Sequence, residues 1–177
     1  MAGVEHNGAV TRAYPLRTER LVLRPLREED IDVVLAYRND PEVSALQDWD
    51  LPVTREHVER QVREHSAWDD IAPGEPRQVG IEADGEPVGF LMWADAINEG
   101  TPDPYLWRFL IDRRHQGRGI GARALEQWTA DLRAAGHTAV EASWVQERGG
   151  PEAFYLKAGF VLTGEMDDDE AVARLQL

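Results

Sequence analysis

The chain has 177 residues, no cysteine and a formal net charge of −14, from 19 basic and 33 acidic side chains. That length suits one domain with a substantial core, and the missing thiols exclude disulfides, thiolate metal sites and a cysteine acyl-enzyme. The acidic balance repels nucleic acid and anionic membranes, and no apolar run approaches the roughly 18 residues of a membrane span.

Residues 1–16 carry no signal-like apolar segment and are expected to form a flexible arm or a subunit contact in a homodimer. The domain is then 17–177, and a cysteine-free chain without a leader is expected in the cytoplasm. Leu21, Leu23 and Pro25 alternate with Val22 and Arg24, predicting a strand over 20–26. Ile31, Val34 and Leu35 share one face of a helix over 28–37. A turn-rich loop over 39–52 carries Trp49, and Thr54 caps a helix reaching about Asp69. After a connection at 71–76, strands at 77–83 and 88–94 flank Asp84-Gly85, a strong hairpin signal. A polar stretch over 95–104 precedes a strand at 105–111. A helix at 121–135, a strand at 138–145, a helix at 150–158 and strands near 160–163 and 171–176 follow. This alternation predicts a single α/β (α+β) domain.

Between the strand at 105–111 and the next helix lies Gln116-Gly117-Arg118-Gly119-Ile120-Gly121, followed by Ala122. Three glycines lack the Cβ atoms that would hold a ligand off the backbone, and a helix N-terminus adds partial positive charge. Arg113, Arg114 and Arg118 add formal charge, so the pattern predicts a pyrophosphate cradle. No Gly-Lys-Ser/Thr occurs, which excludes a Walker loop. Gly117, Gly119 and Ala122 also fit a dinucleotide fingerprint, with Glu141 as the acidic residue about 20 positions onward. Against it, Asp112 to Gln116 separate the glycines from the strand. Only about 55 residues follow the loop, too few for a doubly wound sheet.

The spacing of Gln116, Gly119 and Gly121 resembles the pyrophosphate loop of the GCN5-related N-acetyltransferases (GNATs). Phe154-Tyr155-Leu156-Lys157-Ala158-Gly159-Phe160 is similar to that family's tyrosine helix and closing Gly-Phe. The resemblance implies a mixed, mostly antiparallel sheet whose strands splay around acetyl-coenzyme A. It assigns the pantetheine arm to backbone groups of Phe109, Leu110 and Ile111, and the pyrophosphate to residues 116–122. It also implies that Tyr155 protonates the leaving thiolate, a role suited to a phenol with an ordinary pKa of about 10. No metal is implied, and His6, His57, His65, His115 and His137 are scattered.

The acceptor would be a small-molecule amine. Neither its identity nor the general base follows from the sequence. Glu141, Glu82 and a water chain are candidate bases, and Trp49 and Glu141 are candidate acceptor contacts. The opening Thr18–Leu26 with Asp40-Pro41-Glu42-Val43 resembles ribosomal-protein N-terminal acetyltransferases. The second half is similar to bacterial spermidine and diamine acetyltransferases, and the acidic charge favours a polyamine-like cation. Protein N-termini and amine antibiotics are the alternative acceptors. A non-catalytic acyl-coenzyme A sensor is the alternative from another class, and it would have no use for Tyr155.

Overall fold

Eight strands hydrogen-bond into one sheet, in a computed structural model that describes residues 16–18, 21–44, 52–65, 74–95, 103–146 and 150–177. In chain order the strands are β1 (Leu16–Thr18), β2 (Leu21–Arg24), β3 (Arg77–Ala83), β4 (Glu86–Asp95), β5 (Pro104–Ile111), β6 (Ala139–Val145), β7 (Val161–Asp167) and β8 (Glu170–Gln176). The helices are α1 (Ile31–Arg38), α2 (Pro41–Ser44), α3 (Arg55–His65), α4 (Ile120–Ala134) and α5 (Glu152–Lys157). The spatial order is β1-β2-β3-β4-β5-β6-β8-β7. Only β5 and β6 run parallel among the described residues.

Side-chain alternation along the strands supplies two apolar layers. Val79, Ile81, Leu91 and Trp93 pack with Leu125, Trp128 and Leu132 of α4. Phe90, Met92 and Leu110 point the other way, against Val34 and Tyr37 of α1 and Val58 and Val62 of α3. The central strands are covered on both faces, which is why β4 reads as a nearly unbroken apolar run.

Local signals hold where adjacent residues determine them. Asp84 (φ 53°) and Gly85 (φ 87°) form the hairpin turn, and the Thr54 hydroxyl accepts the His57 N–H at 3.2 Å as a helix cap. Three differences appear. Leu16 already belongs to β1, paired to β2, so the sheet starts one residue before the expected boundary. The arm over 1–15 lies outside the described residues. Pro41–Ser44 forms a short helix in the expected loop, with Pro41 at its first position and the Asp40 carboxylate accepting the Glu42 N–H at 3.0 Å. β7 extends to Asp167, four residues past the expected end, because β8 pairs with residues that show no apolar alternation.

Candidate active site

β5 and β6 part at a defined residue. β5 pairs with β4 through Trp93↔Leu106, then shifts register so that Met92 faces Arg108, leaving Trp107 as a bulge. Its parallel pairing with β6 is confined to Tyr105↔Glu141 and Leu106↔Ala142, immediately before that bulge. β6 continues beside β8 as far as Val145↔Glu170. A bulge bends its strand, so from Trp107 onward β5 diverges. Among the described residues, the β6-facing edge of Phe109, Leu110 and Ile111 is thereby left without a strand partner.

The loop begins where the parted strand ends. Asp112, 4% exposed, accepts the Arg114 backbone N–H at 2.9 Å and its guanidinium at 2.6 Å, closing a single 3₁₀ turn over Arg113–His115. Gln116 Nε2 then donates to the Ile111 carbonyl at 2.9 Å. Gly117 and Gly119 adopt φ of 69° and 75°, and a Cβ on either would meet no protein atom within 4 Å. Both therefore border open space that a ligand can fill. α4 starts at Ile120, whose side chain is buried while Ala122 is exposed, and its first-turn N–H groups add partial positive charge beside the loop.

Formal charge is distributed differently from the sequence expectation. Arg113 pairs with Glu42, and Arg114 with Asp112, so both are neutralised by the chain's own carboxylates. Arg118 is exposed, with its guanidinium 3.1 Å from His115 Nδ1. Formal charge beside the loop thus comes from Arg118 rather than from all three arginines.

The tyrosine helix meets this loop through its neighbour. Phe154 packs on Phe109 at 5.6 Å between ring centroids, and a Cβ on Gly121 would lie 3.5–3.7 Å from Ile111, Phe154 and Phe109. The absence of a side chain at Gly121 brings α4, α5 and the end of β5 close together. Tyr155 is buried, stacked on Trp144 at 4.8 Å and 11°, with edge contacts to Phe154 and Phe160. Burial, reinforced by the charge of Glu170, pushes its hydroxyl pKa well above the usual phenol value. It therefore stays protonated across the neutral range.

Glu141 lies on the face of β6 away from Tyr155. Val140, Ala142 and Trp144 point into the layer that holds Tyr155, so Glu141 faces the opposite side of β6. Its carboxylate accepts from Arg174 at 2.7 Å, and Arg174 also pairs with Asp103. The other carboxylate considered as a base, Glu82, is held by Arg24 Nε at 2.7 Å, and Arg24 also forks onto Asp30. Trp49 lies outside the described residues. Two contributors had gone unnoticed in the sequence. Asp112 was legible as an Asx turn two residues before Arg114. Ser143, which donates its hydroxyl to Glu170, had no sequence signal, because the partners are 27 residues apart.

A family model described as "Acetyltransferase (GNAT) domain" matches residues 20–161. No curated protein matches the sequence. Among solved structures, an acetyltransferase from Thermus thermophilus is 26% identical, with a TM-score of 0.71 over 89% of this chain and 97% of that one. The enzyme that modifies the N-terminal serine of ribosomal protein L7/L12 from Salmonella typhimurium is 17% identical, with a TM-score of 0.73 over 90% and 96%. The microcin C7 self-immunity acetyltransferase MccE, in complex with acetyl-CoA and AMP, is 11% identical, with a TM-score of 0.74 over 90% and 94%. The last two likenesses concern the fold alone. With the family model covering most of the chain, and with the parted strands and glycine loop in place, this protein belongs to the GNAT acetyltransferase family, whose acetyl donor is acetyl-coenzyme A.

Proposed function

We propose that the protein transfers the acetyl group directly to the primary amine of a small molecule. The observation that carries this reading is the parting of β5 from β6 at Trp107, directly upstream of the glycine loop. The free edge of Phe109, Leu110 and Ile111 receives the pantetheine arm. Gln116, Gly117, Arg118, Gly119, Ile120, Gly121 and Ala122 hold the pyrophosphate, and the open space beside Gly117 and Gly119 fits that load. When bound, acetyl-coenzyme A supplies an acetyl group already activated as a thioester.

Tyr155 holds a proton for the departing sulfur, and its raised pKa keeps that proton in place. No cysteine exists to form an acyl-enzyme, which agrees with direct attack by the amine. An alkyl ammonium of pKa about 10.4 is neutral in only about one part in a thousand near pH 7.4, so it must lose a proton first. Glu82 and Glu141 are both engaged by arginines, which favours a solvent route for that proton over either carboxylate.

An acceptor that arrives as a cation, of the polyamine kind, is supported by the net charge of −14. Asp103, Glu141 and Glu170 on the β6–β8 side give the ammonium a local attraction as well. A cytoplasmic address and, through the N-terminal arm, a homodimer complete this reading. The test incubates the protein with acetyl-coenzyme A and a mixed amine panel, following released thiol and acetylated product. Binding of acetyl-coenzyme A with no thiol release above the spontaneous rate would favour the sensor instead.

A further inference from the structure

The two banks of the parted strands carry opposite charge on one face of the sheet. Arg108 stands opposite Met92, and Leu110 opposite Phe90, so Arg108 shares the face of the layer under α1 and α3. On that face the Arg38 guanidinium lies 5.5 Å over the Phe90 ring, 3% exposed, and donates to Gln61. Buried Gln78, also opposite Met92, donates to the Gln61 carbonyl at 3.2 Å and so fastens α3 above this spot. His57 and Arg60 of α3 lie 3.1 Å apart. Desolvation, followed by the charge of Arg108, lowers the Arg38 pKa to about 10. Desolvation and then Arg38, Arg60 and Arg108 likewise lower that of His57. Arg38 and Arg108 thus lie on one face as a cationic bank, and His57 beside it is favoured in its neutral form.

Across the gap, Glu141 and Ser143 alternate with core residues of β6 and face the same side. With Glu170, hydrogen-bonded to Ser143, and Asp103, they form an acidic bank in which Arg174 is the bridging cation. Paired strands lie about 4.8 Å apart, and from Trp107 onward β5 is no longer paired with β6, so a gap opens between the two banks that a small molecule could bridge with one end on each. A polyamine would set one of its ammonium groups against the guanidinium bank, where like charge opposes it. A guanidinium matches a carboxylate or phosphate through paired N–H donors.

We propose that the acceptor is a small zwitterionic amine, its ammonium toward the acidic bank and a carboxylate or phosphate held by Arg108, with Arg38 behind. This rests on the chain being an amine acetyltransferase, and it replaces the polyamine-like acceptor suggested by net charge with an amine that also carries an anion.

The test measures calorimetric binding to the protein saturated with coenzyme A. Matched pairs serve as probes: β-alanine against its amide, and phosphoethanolamine against ethanolamine, with spermidine as the polycation. The anionic member of at least one pair should bind tenfold or more tightly than its neutral partner and than spermidine, and the responding pair tells carboxylate from phosphate. Arg108→Gln should reduce that preference to parity while acetyl-coenzyme A affinity is unchanged. Arg108→Lys, which keeps charge but loses the fork, should retain a several-fold preference that high salt removes, and it carries the test should Arg108→Gln not fold. Equal or tighter binding of the neutral amine or spermidine, no binding by either pair, or a preference that survives Arg108→Gln would each overturn the proposal. Anion-dependent binding without any acetyl transfer would instead overturn the acetyltransferase reading and leave the recognition of the anion standing.

Discussion

The side-chain amide of Gln116 donates to the carbonyl oxygen of Ile111 at 2.9 Å, tying the start of the glycine loop to the end of β5. The bond fixes the loop relative to the free strand edge, so two parts of one long ligand would meet a surface of set geometry. Gln116→Ala removes this tie at an exposed site. Coenzyme A affinity should fall by about 0.5–1.5 kcal/mol, the net worth of an ordinary hydrogen bond, with little change in melting temperature. Titration calorimetry and a thermal melt on the same sample check both halves.

Gly119 and Gly121 should respond differently to a side chain. At Gly119 a Cβ meets no protein atom, but the backbone φ of 75° opposes any L residue. Gly119→Val should therefore cost about 1–2 kcal/mol of stability from backbone strain and abolish most coenzyme A binding. At Gly121 the backbone is helical and a Cβ would make ordinary contacts at 3.5–3.7 Å. Gly121→Ala should leave the fold intact and weaken binding less. Equal affinities for the two variants in calorimetry would contradict the loop assignment.

Tyr155→Phe keeps the ring stacked on Trp144 and removes only the hydroxyl. Turnover should fall by about 10²–10³, within the range for a general acid, while coenzyme A affinity holds. Because burial raises the folded pKa, the native enzyme should keep this proton past pH 10, and its kcat profile should show no descending limb at the ordinary tyrosine value. A stable variant with full turnover would leave Tyr155 with a packing role only.

Acid stability should depend on Asp30, whose side chain is 2% exposed and forked by Arg24 at 2.6 and 2.8 Å. Desolvation pushes the Asp30 carboxyl upward. Hydrogen bonds from Arg24 and the Arg27 N–H, with the Arg24 charge, outweigh it and hold the pKa below the usual range. A lowered folded pKa stabilises the protein fully above the unfolded carboxyl value, and the contribution disappears as pH falls through the folded one. Asp30→Asn should cost about 3–5 kcal/mol at neutral pH by leaving Arg24 partly unpaired, and should flatten the acid limb of stability. Urea melts at neutral and acidic pH measure both effects.

What the sequence by itself determined is what neighbouring residues control. The Asp84-Gly85 turn, the Thr54 cap, the glycines that need positive φ and the boundaries of α4 follow from conformational limits within a few positions. The two family motifs belong to the same class, because the loop and the tyrosine helix are each contiguous. The tertiary structure alone decided which charges are engaged. Glu82 is held from 58 residues away by Arg24, Glu141 from 33 by Arg174, and Arg113 by Glu42 on another element. It also decided where β5 leaves β6, since a bulge at Trp107 exists only in relation to the register of β4. Glu141 shows the physical reason: its spacing put it on the right strand, but strand alternation and Arg174 turned it to the face away from Tyr155.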